Sequence, residues 1–361
     1  MDTTSLATLS NLVLYAAMGV LALTMVAFAV HLAFASTVVN RAGRSGRARV
    51  ETAKVPVGVG AGATASVPDS ADAADPADPV ETPETPETPE SPGTLETPAP
   101  RSGVGERAGR LGMTLGWLGT LMLGGSIALR GASVGRPPVS NMFEFACAAA
   151  FLVMGIYLVL ALRRPLKWLG LFVVTPVLLA LGLAITVWYT EASELVPSLR
   201  STWLVIHVPV AILSTAVFTL SFCVLLLHLA QARREARLAA GRPAGLGGRA
   251  LSALPDSASL DRTAYSLVVV AFPLWTFTLI AGAIWGQQAW GTYWSWDPKE
   301  VWTFVIWTIY AAYLHARATS GWSLRTANII AVVGYLAIIV NFTIVNMFFP
   351  GMHSYSGLVT P

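Results

Sequence analysis

Charge is scarce in this 361-residue chain: Asp, Glu, Lys and Arg together make up 12% of it, about half the ~25% of an ordinary soluble domain. Cysteine is scarcer still. Cys147 and Cys223 both stand inside apolar runs and no CxxC pair exists, which argues against thiol redox chemistry and against a cofactor attached through paired thiols. No Walker A run is present, so ATP does not drive the protein directly. Within the apolar runs Asp, Glu, Lys and Arg are nearly missing, apart from Glu144 at the start of one. A secondary transporter or proton pump usually needs buried charges or broken helices at the bilayer midplane, and neither is evident. The nominal charge of +3 gives no reason to expect nucleic acid, because the basic residues lie in loops and form no patch.

Apolar residues, at 54%, dominate what remains. Runs of roughly 20 residues, enough to cross about 30 Å of hydrocarbon, recur along the chain. The expected fold class is therefore an all-α polytopic membrane protein of about eight transmembrane helices. The first runs from Asn11 to about Ser36. It is too long for a signal peptide and lacks a basic start and a clear cleavage site, so it reads as a retained N-terminal helix within residues 1–36. Residues 37–110 read as a cytoplasmic linker. Much of it is acidic and rich in proline, with Glu-Thr-Pro repeated at 81, 84 and 87; such a stretch buries too little apolar surface to offset its ordering entropy. The other apolar segments fall near 111–130, 141–162, 168–189, 203–230, 264–285, 301–318 and 326–348, inside a membrane domain spanning 111–361. Arg41, Arg44, Arg47 and Arg49 place the end of the first helix in the cytoplasm. Alternation then leaves only Arg130, Arg136, Arg200 and Lys299 of the 23 Lys and Arg outside, as the positive-inside rule requires. Both termini and the 286–300 loop fall on the extracytoplasmic face of a bacterial plasma membrane.

That loop carries the densest signal. Six of the twelve tryptophans lie between Trp285 and Trp307, and residues 290–300 read Trp-Gly-Thr-Tyr-Trp-Ser-Trp-Asp-Pro-Lys-Glu. An interfacial aromatic belt accounts for two or three indoles. This density on one face suits a large flat apolar ligand lying on a platform that includes Trp285, Trp290, Trp294, Trp296 and Trp302. Asp297, Pro298 and Glu300 form a helix start, with an N-cap, a first-turn proline and a third-position acid. Asp297 is thus a cap, a ligand contact, or both.

The five histidines differ in depth. His207 lies just inside the external end of its segment and His353 in the external tail, so both flank the tryptophan loop. Two imidazoles beside an aromatic platform could hold haem iron from both sides. His315 lies about 21 Å into its helix from the external end, where an ionisable group is a functional candidate or a residue snorkelling at the cytoplasmic boundary. His228 and His31 lie near cytoplasmic helix ends and read as interfacial. His207 and His228 are about 31 Å apart along one helix and cannot share a metal.

The run at 290–302 closely resembles the WWD motif of a haem-handling family that includes CcsA (also called ResC, or CcsB in some naming schemes), CcmC and CcmF. Trp203-Leu-Val-Ile-His-Val resembles the first external histidine motif of the CcsA branch. Tyr310 to Arg317 resembles its transmembrane-histidine segment, and Gly351-Met-His-Ser-Tyr its second external motif. Pro137 to Glu144 is similar to the family's early Asn/Glu signature. The resemblance covers about residues 110–361. It implies cytochrome c biogenesis of the system II type, with non-covalent haem b as cargo and a ResB-type membrane partner. Haem would be presented outside for thioether attachment to the CxxCH of an apocytochrome c, within a holocytochrome c synthase complex. By the resemblance His207 and His353 are axial ligands of an external haem, and His315 is one ligand of an intramembrane haem whose other ligand comes from the partner. Arg200 and Lys299 are the nearest external cations for the haem propionates. Two other readings stay open. A CcmC-like haem chaperone without ligation activity would need no ligand at His315. A b-type electron-transfer cytochrome would need histidines paired at two depths.

Overall fold

The computed structural model describes residues 3–52, 102–193, 201–245 and 247–353. Most of the linker and Arg200 lie outside the described residues. Two compact units divide the chain, one formed by residues 1–40 and 102–361 and the other by 41–101. The described part of the second is only the C-terminal end of the first helix.

The described residues are helical with no strand. Eight long helices carry the fold: α1 (Thr3–Thr52), α2 (Ser102–Val134), α3 (Met142–Arg163), α4 (Gly170–Thr186), α5 (Thr202–Ala239), α6 (Ser257–Trp290), α7 (Pro298–Ala318) and α8 (Leu324–Val340). Among the described residues seven are long and apolar enough to cross a membrane; α7 is the exception. Its 21 residues suffice in length, but tryptophan, tyrosine, threonine, His315 and Arg317 dilute its apolar run.

Several helices outrun their apolar stretches. α1 continues to Thr52 and α2 begins at Ser102, so both ends of the expected linker are helical; no proline interrupts the chain before Pro56 or between Ser102 and Pro137. α6 likewise continues to Trp290, where Gly291 caps it with φ 79°, a left-handed conformation that favours glycine. The expected external loop at 286–300 thus shrinks to residues 291–297, and Trp285 and Trp290 are helical.

Helices α5 and α6 form a close pair along small residues. Ser214 Oγ donates to the Ala271 carbonyl and Ser221 Oγ to the Ala264 carbonyl, each at 2.9 Å, while Ala216, Ala264 and Ala271 are buried. Small side chains and interhelical hydrogen bonds are what remain to hold helices together where lipid removes the hydrophobic drive. Trp275 Nε1 donates to the Thr303 carbonyl (3.1 Å) and Trp307 Nε1 to Thr276 Oγ1 (3.0 Å), which fixes α7 to α6.

Two charged knots close the ends of the bundle. At the end away from the tryptophan-rich link, Arg317 makes a two-pronged pair with Asp261 at 2.8 and 2.9 Å, and Asn328 donates to the same carboxylate. These three residues join α6, α7 and α8. At the other end Glu144, buried in α3, accepts from Arg130 Nε at 2.9 Å and from Arg136 at 2.9 and 3.1 Å. Asn141 caps α3 by accepting from the Glu144 N–H. The Asn/Glu signature is therefore a helix cap and a counter-charge, and it fixes residues 139–142 as a wall of the site described next.

Candidate functional site

Five elements converge on one cavity at the Trp-rich end of the bundle. It holds about 1240 Å³ of atom-free space, counting its open mouth. Its walls come from the start of α3, the first turns of α5, the last turns of α6, the 291–297 link with the start of α7, and the end of α8 with the tail. The lining is mainly apolar, with His207, Trp285, Trp294, Lys299, Asn341 and His353 among its members, as a site for a large apolar ligand with a few placed polar groups requires.

His207 sits on α5, which starts at the N-cap Ser201. Its ring stacks on Trp285 at 5.9 Å and 24°. On the adjoining turn of α6, a Cβ at Gly282 would come within 2.8 Å of His207 Cε1, so glycine there lets the imidazole lie against the backbone. His353 meets the same indole, Trp285, edge-on at 5.9 Å and Trp290 at 4.6 Å. Residues far apart in sequence thus share one tryptophan and one cavity.

Asp297 builds the other half of the site. Its side chain accepts from the Lys299 N–H at 2.9 Å, and Glu300 completes a capping box by accepting from the Asp297 N–H. The same carboxylate accepts the Met352 N–H and lies 3.0 Å from His353 Nδ1. A Cβ at Gly351 would stand only 2.2 Å from Asp297 Oδ2, so the tail can close down on the cap only with glycine there. Burial works against the charge on Asp297, but the hydrogen bond and charge of His353, with the amides of Lys299 and Met352, outweigh it and hold the carboxyl below its ordinary pKa. A carboxylate in this position can accept a hydrogen bond from the Nδ1–H of His353 and leave Nε2 for a ligand.

The donor set fits a metalloporphyrin. Among the described residues five buried side-chain polar atoms have no partner, and three of them, His207 Nδ1, Trp285 Nε1 and Asn341 Oδ1, belong to residues of this cavity. Buried polar groups are rarely left unpaired; these three around one cavity are available to a bound ligand or to water.

The remaining tryptophan and histidine candidates divide between the cavity and its surroundings. Trp290 backs Trp285 and His353. Trp294 lines the cavity, and Trp296 meets it edge-on at 5.8 Å. Trp296 itself is 76% exposed with φ 59°, a left-handed conformation that costs a bulky residue roughly 1–2 kcal/mol. Trp302 packs against the helical core. His315 is exposed on α7, while His228 and His31 each direct Nδ1 to a carbonyl at 2.8 Å, of Ser257 and Gly105. None of these three lines the cavity. Asn341 and Asn346 were not among the candidates, although an asparagine inside an apolar run is a signal in its own right.

Comparison with known proteins accords with this arrangement. The model of the family described as "Cytochrome C assembly protein" matches residues 139–353, which takes in every wall of the cavity. The chain belongs to that family. Proteins named "Cytochrome c biogenesis protein CcsA" are similar to it. That of Prochlorococcus marinus is 35% identical over 257 residues, 65% of this chain and 80% of the relative. That of Parasynechococcus marenigrum is 34% identical over 256 residues, 66% and 84% of the two chains. That of Synechococcus elongatus is 32% identical over 278 residues, 66% and 85%. This member of the cytochrome c assembly family is an integral membrane protein that acts in cytochrome c maturation.

Proposed function

We propose that the protein presents haem b on the extracytoplasmic face for attachment to a CxxCH apocytochrome c, as the haem-handling half of a system II synthetase with a ResB-type partner. One observation carries this reading: His207 and His353 line a single apolar cavity and both contact Trp285. The chain's residues then have separate tasks. His207 and His353 would hold the iron through ring nitrogens, Trp285 and Trp294 would give the ring system an apolar wall, and Asp297 would keep His353 in one tautomer. Bound haem supplies the vinyl groups that become thioethers. The protein contributes position, which turns a bimolecular encounter into an oriented one. His353 sits three residues beyond the last helix-end proline, Pro350, on the tail, and is the ligand to be exchanged for the histidine of the acceptor.

The exposed position of His315 on α7 supports a second haem site shared with the partner. Purification with and without a co-expressed ResB-type protein, followed by absorption spectroscopy, tests this. The expected result is a haem fraction that appears only with the partner and is lost in His315→Ala. A haem content independent of both would overturn the shared site.

A further inference from the structure

The first turn of α7 turns a cation inward. Lys299 precedes the apolar run of its helix, yet its side chain lines the cavity and its Nζ donates to the Asn341 carbonyl at 2.9 Å and to Asn346 Oδ1 at 2.7 Å. Asn341 opens a π-helical turn, Asn341–Val345, a local widening found mostly at functional sites. Both oxygens on the ammonium are neutral. The two nearby carboxylates are otherwise engaged: Asp297 by His353 and the amides of Lys299 and Met352, Glu300 by Ser295 and the Asp297 N–H. Among the described residues no carboxylate pairs with Lys299.

An ammonium has three donors, and two are used. Burial pushes Lys299 down to about 7 despite the opposing pull of Asp297, as expected for a cation removed from water without a counter-ion. Beside it Asn341, 5% exposed, has a side-chain oxygen with no partner. The two ends of that amide have nearly the same shape, so a half-turn presents N–H donors to the same place. A cation with a spare donor and an unsatisfied amide together on an apolar wall call for an anion with two acceptor oxygens.

We propose that Lys299, with Asn341 and Asn346, is a carboxylate subsite of this cavity, and that its occupant is a propionate of the porphyrin. The identity of the occupant rests on the haem reading given above; the need for a carboxylate rests on Lys299 and its neighbours. The subsite fixes the rotation of the ring about the axis between its axial ligands, which His207 and His353 leave free, and so decides which edge meets the acceptor thiols.

The test compares two porphyrins on the full-length purified protein: iron protoporphyrin IX and its dimethyl ester, which keeps the ring and loses both anions. Titrations followed at the Soret band should show the free acid bound about tenfold or more tightly, the size of a charge-assisted hydrogen bond. Lys299→Met should remove that preference and bind the two forms about equally. If Lys299 serves only to fasten α7 to the end of α8, its loss weakens both forms alike and the preference survives, which overturns the subsite. Equal binding of both forms by the unsubstituted protein overturns it as well. Failure to bind either porphyrin removes the haem reading itself, and the subsite with it.

Discussion

At the scale of single residues, Asp297 does more than any other side chain in the site. It caps α7, holds the tail through the Met352 N–H and orients His353. These tasks can be separated by substitution. Asn caps a helix as well as Asp, so Asp297→Asn should leave the melting temperature nearly unchanged. It should weaken haem binding by about 10–100-fold, the usual loss when the partner of a ligating histidine is removed. Asp297→Ala should show the same loss of affinity and in addition cost about 1 kcal/mol of stability from the lost cap. Thermal melts and haem titrations of the two variants side by side check both. The cap was legible in the sequence from the Asp-Pro-Lys-Glu order. The contact with His353 was not, because residues 56 positions apart meet only once α7, α8 and the tail have packed. Lys299 shows the same limit: its sequence position marks it as an external cation, but its bonds to Asn341 and Asn346 arise only once α7 and the end of α8 have packed.

Among the elements, α3 illustrates how a helix far from the ligands shapes their pocket. Glu144 is the counter-charge for Arg130 and Arg136, and all three side chains are at least nine-tenths buried. Removing the carboxylate leaves two guanidinium groups out of water without a counter-charge, a loss of about 3–5 kcal/mol. Glu144→Ala should therefore lower the melting temperature in detergent sharply. It should also lower haem affinity, since residues 139–142 form a wall of the cavity. A variant with unchanged stability would show that the arginines are hydrated. Helix existence was readable from the apolar runs, but helix ends were less so. Hydrophobic length marks where lipid stops, not where hydrogen bonding stops, so α6 continues to Trp290 and takes that tryptophan out of the expected loop.

For the whole molecule, the arrangement in the membrane follows from the distribution of Lys and Arg rather than from packing. Tyr293, at the cavity end, is 61% exposed, and the proposed orientation would turn it to the extracytoplasmic solvent. The two native cysteines are buried, so a Tyr293→Cys variant offers one accessible thiol among the described residues. Intact spheroplasts should label it with a membrane-impermeant maleimide to the same extent as lysed cells. Labelling only after lysis would reverse the orientation. The seven apolar helices and the aromatic end of the bundle were legible from composition. The joining of α1 to the rest was not, because it depends on close approach: Phe28 lies where a Cβ at Gly112 or Gly170 would stand within 2.9 or 2.5 Å, and Ser10 bonds to the Ser126 carbonyl at 2.9 Å.

Near-infrared magnetic circular dichroism of the haem-loaded protein reads the two axial ligands directly. With His207 and His353 on either side of the iron, the ferric protein should show the charge-transfer band of bis-imidazole haem, and His353→Met should move that band to the position of a histidine–methionine pair. An unaltered bis-imidazole band in both His207→Ala and His353→Met would contradict ligation from this cavity.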